Sequence, residues 1–114
     1  PTWWFGLPAI LKGWLDREFV PHATFALPTE TKALGGRLDN IREIAVVTTC
    51  GATWLVSKLV GEPGRRTLLR GMKGLCAPGC RTRYLALYQM DTVALETRTA
   101  FLDRVERFAG RIGA

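Results

Sequence analysis

The residues best suited to chemistry fall in two short segments. Trp3, Trp4 and Phe5 are adjacent, and Gly6 and Pro8 follow at once. Three aromatic faces just ahead of a helix start suit the wall of a pocket for a flat, largely apolar ligand. Thr48, Thr49, Cys50 and Gly51 close a run of β-branched residues, IAVVTTCG over 44–51. A polar, Gly-containing turn at the carboxyl end of such a strand is where open α/β sheets bind ligands. No clustered acid/base set accompanies either segment, so no residue is assigned a catalytic role.

The remaining candidates are weaker. The single histidine, His22, reads as a loop or interface residue. Cys50, Cys76 and Cys80 are odd in number and irregular in spacing, which reads as free thiols in a reducing cytoplasm. One histidine and no second cysteine pair argue against zinc, and no metal site is assigned. Between Lys58 and Arg83 stand seven basic residues and one acid, Glu62, so the whole formal charge of +6 resides there. Such a patch suits a phosphate or an anionic surface, with a solvated helix face as the plain alternative. Charge alone does not support a nucleic-acid partner.

These residues must be held by one small α/β domain, since 114 residues with 47% hydrophobic content supply one core and not two. The spacing predicts a helix over Leu7–Phe19, with Pro8 in its first turn and an apolar stripe of Ile10, Leu11, Trp14, Leu15 and Phe19. A long connection spans 21–41. Ile44–Thr48 is unbroken in hydrophobicity, which predicts a strand covered on both faces. A helix is expected over Trp54–Val60, broken by Gly61, Glu62, Pro63 and Gly64. Another is expected over Thr67–Leu75, capped near Thr67. Arg83–Tyr88 reads as a second strand. Asp91 or Thr92 should cap a terminal helix whose inner face carries Ala94, Thr97, Phe101, Val105, Phe108 and Ile112. Alternation of this kind implies right-handed crossovers and a parallel sheet.

Three stretches, PTWWFGLPAILKGWLDR (1–17), IAVVTTCG (44–51) and APGCRTRYLALYQMD (77–91), resemble the flavodoxin-like NAD(P)H:quinone oxidoreductase family. The resemblance covers essentially the whole chain. It implies the carboxyl-terminal part, 1–114, of a single flavodoxin-like domain: the last strands and helices of a doubly wound parallel sheet. It also implies FMN or FAD, with NAD(P)H as co-substrate and a quinone or similar acceptor. Carried over, Pro1, Thr2, Trp3, Trp4 and Phe5 line the flavin ring, and Thr48, Thr49, Cys50 and Gly51 close over its other end. Cys50 stands where the family usually has Gly or an aromatic residue. No Tyr or His occurs in Trp54–Gly64, where some members use such residues.

The family's phosphate-binding loop belongs to an earlier segment, expected in the natural gene or from another copy. Without that segment, the Ile44–Thr48 strand would carry a bare edge. Arg65 and Arg66 are candidates for a 2′-phosphate. The resemblance further implies a homodimer, with the Leu7–Phe19 helix as the contact. No leader and no apolar run of ~20 residues is present, so a spanning segment is not expected, while peripheral membrane association is left open. A second reading makes the chain an ancillary regulator of a potassium-efflux transporter, as some relatives are.

Overall fold

The computed structural model describes residues 1–114. In chain order the elements are α1 (Ala9–Glu18), β1 (Phe25–Ala26), β2 (Gly35–Gly36), β3 (Glu43–Thr49), α2 (Trp54–Val60), α3 (Pro63–Arg66), β4 (Arg81–Leu87) and α4 (Leu95–Ala109). After α3 the coil continues as a π-helical turn, Thr67–Met72, and a 3-10 turn, Lys73–Leu75.

β3 and β4 pair in parallel, with Glu43 opposite Arg81 and Thr49 opposite Leu87. Strand pleating sends Val46, Thr48, Tyr84 and Tyr88 to one face and Arg83, Leu85 and Leu87 to the other. α1, α2 and α3 cover the first face, and α4 packs along β4 on the second. The arrangement is a three-layer α/β/α piece of a doubly wound sheet.

Two-sided burial of the first strand does not hold along its length. Ile44 is buried, but Val47 is 45% exposed. The reason is that α4 lies over β4, which leaves the neighbouring face of β3 uncovered. The 21–41 connection is not structureless. It folds back on itself through the antiparallel β1–β2 pair. Gly36 is required there, because a Cβ would sit 2.4 Å from Leu75 Cα.

The helix boundaries follow their caps. Thr53 caps α2 by accepting from the Val56 N–H at 3.2 Å, and Gly61 ends it with φ 93°. The break after Val60 is short: Gly61 and left-handed Glu62 make it, while Pro63 and Gly64 already belong to α3. Pro63 is the first residue of α3, where its lost N–H costs nothing. Thr67 therefore lies inside the helical run, and its hydroxyl donates back to the Pro63 carbonyl at 3.0 Å. α4 starts later than expected, after Ala94 and with no side-chain cap. Thr92 is already committed: its hydroxyl donates to Gln89 O at 3.2 Å within the turn that precedes the helix. Of the expected inner face, Phe101 is buried and Val105 and Phe108 are half-buried. Ala94, Thr97 and Ile112 are exposed, and Ile112 lies beyond the helix end. No helix is long and apolar enough to cross a membrane.

Candidate functional site

The first aromatic segment is a tight turn. The Trp3 N–H donates to Gly6 O at 3.3 Å and the Gly6 N–H to Trp3 O at 2.9 Å. Trp4 and Phe5, the two central residues, have φ 46° and 63°. A two-residue turn with both φ values positive normally takes Asn and Gly. Bulky aromatic residues there cost of order 1–3 kcal/mol each, and such strain concentrates at functional sites. Trp4 is 93% exposed, so burial of its ring does not offset the cost.

This turn is joined to the carboxyl end of β3. The Thr2 N–H donates to Thr49 O at 2.7 Å. The Thr2 and Thr48 hydroxyls lie 3.0 Å apart. The two segments singled out in the sequence are thus one structural unit. Gly64 brings α3 against the same unit, donating its N–H to Phe5 O at 3.3 Å. A Cβ on Gly64 would stand 2.8 Å from the Gly6 carbonyl carbon.

Between these parts lies a hollow of about 90 Å³, partly open to solvent. Phe5, Leu7, Leu11, Val46, Leu68 and the two tyrosines supply its apolar walls, and Thr2, Thr48 and Ser57 its small polar groups. Flat aromatic faces with a few hydroxyls suit a planar ring system with one polar edge.

A charged network closes one side. Glu62 sits in left-handed backbone, φ 47°, and is only 11% exposed. Lys58 Nζ lies 2.5 Å and Arg65 2.8 Å from its carboxylate. The Tyr88 hydroxyl donates to the other carboxylate oxygen at 2.7 Å. Burial pushes the Glu62 pKa up, but the Lys58, Tyr88 and Arg65 hydrogen bonds outweigh it and bring the group down to about 2. Burial, and then donation to ionised Glu62, raise the Tyr88 phenol above its ordinary value. Burial likewise raises Tyr84, whose ring carries the Arg65 guanidinium 4.5 Å from its centroid. Tyr88 is therefore a fixed donor to Glu62 and a poor acid.

Of the nine residues expected at the ligand, Pro1, Thr2, Phe5 and Thr48 line this hollow. Trp3 and Trp4 project from the turn, 66% and 93% exposed. Thr49 meets the hollow only through its carbonyl bond to Thr2. Cys50 is buried and turned inward, its sulfur 3.6 Å from Ser57 Oγ. Gly51 lies against Asp91, whose carboxylate would be 2.8 Å from a Cβ there. His22 is exposed in the 21–41 loop, its carbonyl accepting from Arg37 at 2.6 Å. Arg65 lines the hollow, whereas Arg66 is exposed beside Gly61.

Sequence reasoning missed Glu62, Tyr84 and Tyr88. Glu62 was grouped with its helix-breaking neighbours. The even spacing of Tyr84 and Tyr88, on one side of β4 and of the residue that follows it, was the available signal.

This chain belongs to a family of flavodoxin-like fold, whose profile matches residues 1–104. It is similar to NAD(P)H dehydrogenase (quinone) 1 from the rat, Rattus norvegicus, with 42% identity over 52 residues, which are 46% of this chain and 18% of that protein. It is also similar to the crystal structure of Smu.1420 from Streptococcus mutans UA159, with TM-score 0.78 and 25% identity, covering 94% of this chain and 54% of that one. The matched region is thus about half of the streptococcal protein's length and under a fifth of the rat enzyme's.

Proposed function

We propose that this chain forms part of a flavin-dependent oxidoreductase that passes two electrons from NAD(P)H to a quinone or similar acceptor. The observation that carries the reading is the strained Trp4–Phe5 turn, hydrogen-bonded through Thr2 to the end of β3 and opening on an aromatic hollow. Strain of this kind persists only where the surroundings over-determine it. The similarity to a quinone dehydrogenase supports the same reading. No observation in the fold favours the transporter-regulator alternative.

A bound FMN or FAD would supply the redox chemistry, taking hydride from NAD(P)H and delivering two electrons. The chain's own residues then bind and orient. Phe5 and Tyr84 offer flat faces, and the Thr2 and Thr48 hydroxyls offer polar contacts on the strand-end side. Glu62 holds Tyr88 and Arg65 in fixed positions along the wall. Pro1 and the turn bring Phe5 over the hollow and exclude water from one side. In the same reading the protein is a cytoplasmic homodimer, with Ile10 and Trp14 of α1, 83% and 45% exposed, at the contact.

The test is flavin content and NAD(P)H-dependent quinone reduction by the full-length protein. A yellow protein whose flavin is lost in Phe5→Ala and retained in His22→Ala is expected. Colourless protein that stays inactive after FMN or FAD is added overturns the proposal.

A further inference from the structure

We propose that the groove between β4 and α4 binds a diphosphate-bearing anion through Arg83, Arg104, Arg107 and Arg111. The groove has a volume of about 420 Å³, and its walls include these four arginines, Leu85 and Phe108, with no acidic residue. Arg104 and Arg107 stand one turn apart on α4, so their side chains leave the same rim of the helix, and Arg111 follows in the turn just past its end. Arg83 comes from the strand opposite.

Three of the four cations have no counter-charge in the protein. Arg104, Arg107 and Arg111 form no ion pair, although Asp103 and Glu106 are on the same helix. Arg83 is held at Nε by Glu43 Oε1, 2.5 Å away, which fixes its direction and leaves its two terminal nitrogens without a carboxylate. The Arg104 guanidinium is steadied by the Phe101 ring, 5.9 Å from the centroid. Two of the four have a second explanation, since Arg107 and Arg111 also complement the negative end of the helix dipole. Arg83 also answers Glu43, and Arg104 has neither explanation.

The chemistry points to phosphate. The planar guanidinium fork matches phosphate oxygens two at a time, which ammonium groups do not. Four arginines against the one carboxylate of Glu43 leave a net +3 around the groove. A terminal diphosphate carries roughly that charge with opposite sign. The groove opens on the opposite face of the sheet from the aromatic hollow, and Tyr84 of β4 borders both.

The experiment is calorimetric titration of the full-length protein with inorganic pyrophosphate at near-physiological salt, repeated for Arg104→Gln, Arg107→Gln and Arg98→Gln. Arg98 is on α4 but is not part of the groove lining. Saturable binding is expected, weakened about tenfold by R104Q and by R107Q and unchanged by R98Q. ADP should compete with pyrophosphate. If R104Q disturbs the circular dichroism of α4, Arg111→Gln carries the same expectation from beyond the helix end. Three outcomes overturn the proposal. One is no saturable binding. Another is equal weakening by R98Q, which means non-specific charge attraction. The third is binding to phosphatidylglycerol vesicles without binding to pyrophosphate, which assigns the arginines to a membrane surface.

Discussion

Two carboxylates, Glu62 and Glu43, are clasped by cations on opposite sides of the sheet, and they differ in kind. Glu62 takes its ionic partners from its own stretch of chain, Lys58 and Arg65, and reaches across to Tyr88. It does so from left-handed backbone beside the hollow. Glu43 takes all its partners from distant elements: Arg81 and Arg83 of β4, and the Gly113 N–H at 2.8 Å. It holds an ordinary strand conformation. The first clasp is strained and shapes a cavity wall. The second is relaxed and ties the chain's last turn to the start of the sheet. Backbone strain and a tyrosine partner coincide with a cavity at Glu62 and are absent at Glu43, which is equally buried.

The largest effect separating the two should come from Glu62→Gln. A carboxyl held at about 2 in place of its ordinary 4.5 corresponds to roughly 3 kcal/mol of stability at neutral pH. Lys58 and Arg65 are about a third exposed and recover part of that by rehydration, so the expected loss by denaturant unfolding is about 2 kcal/mol. Glu43→Gln should cost less, because Arg81, 52% exposed, returns readily to water. If Glu43→Gln proves the more damaging, the assignment of the two clasps is reversed.

Next in size is Gly64→Ala. Its Cβ has backbone at 2.8 Å, and the Gly6–Leu7 segment cannot yield as a flexible side chain would. A loss of about 1–3 kcal/mol is expected. Displacing Phe5 should also alter the hollow, read as a loss of flavin retention. Gly79→Ala, with φ 77° but open space around it, should show only the turn strain and leave the hollow intact.

What could be read from the sequence follows the same division. The order of elements and the parallel strands come from hydrophobic runs and Gly/Pro punctuation, which are local signals, whereas the meeting of the aromatic segment with Thr48–Thr49 followed only from the family resemblance. The Glu62 clasp was hidden because Glu62, Pro63 and Gly64 resemble a helix break, whereas Pro63 in fact begins a helix. The left-handed geometry of Trp4 and Phe5 was hidden because aromatic residues rarely adopt it, and only the surrounding structure imposes it. The cap of α4 was misplaced for a related reason: Thr92 had its hydroxyl committed to a preceding turn.

Strain at the hollow gives a smaller effect of the opposite sign. Trp4→Gly removes a bulky residue from φ 46° while giving up little burial, since the ring is 93% exposed. It should raise unfolding stability by about 1 kcal/mol. The same change should weaken retention of a flat ligand, because Phe5 loses its edge-on neighbour at 6.3 Å. A stabilised protein with unchanged ligand retention would mean that the strain is unconnected to the site.

The finest distinction between the clasps is their order of loss in acid. Both carboxyls are held below 4.5. Glu43 is lowered chiefly by the Gly113 N–H, working against burial with help from Arg83 and Arg81. Glu62 is lowered to about 2 by Lys58, Tyr88 and Arg65, which outweigh burial. For a group whose folded pKa is depressed, the stabilisation is present above the unfolded value and disappears as pH falls through the folded one. Each contribution is therefore intact above pH 4.5, and the Glu62 contribution persists to about pH 2. The Glu43 clasp, less strongly lowered, should release first. Amide exchange should thus show Gly113 losing protection at a higher pH than the Gly64 N–H, whose bond to Phe5 O depends on the Glu62 side of the sheet. Simultaneous loss at both amides would mean that the chain opens in acid as one cooperative unit, and that the two clasps are not energetically separable.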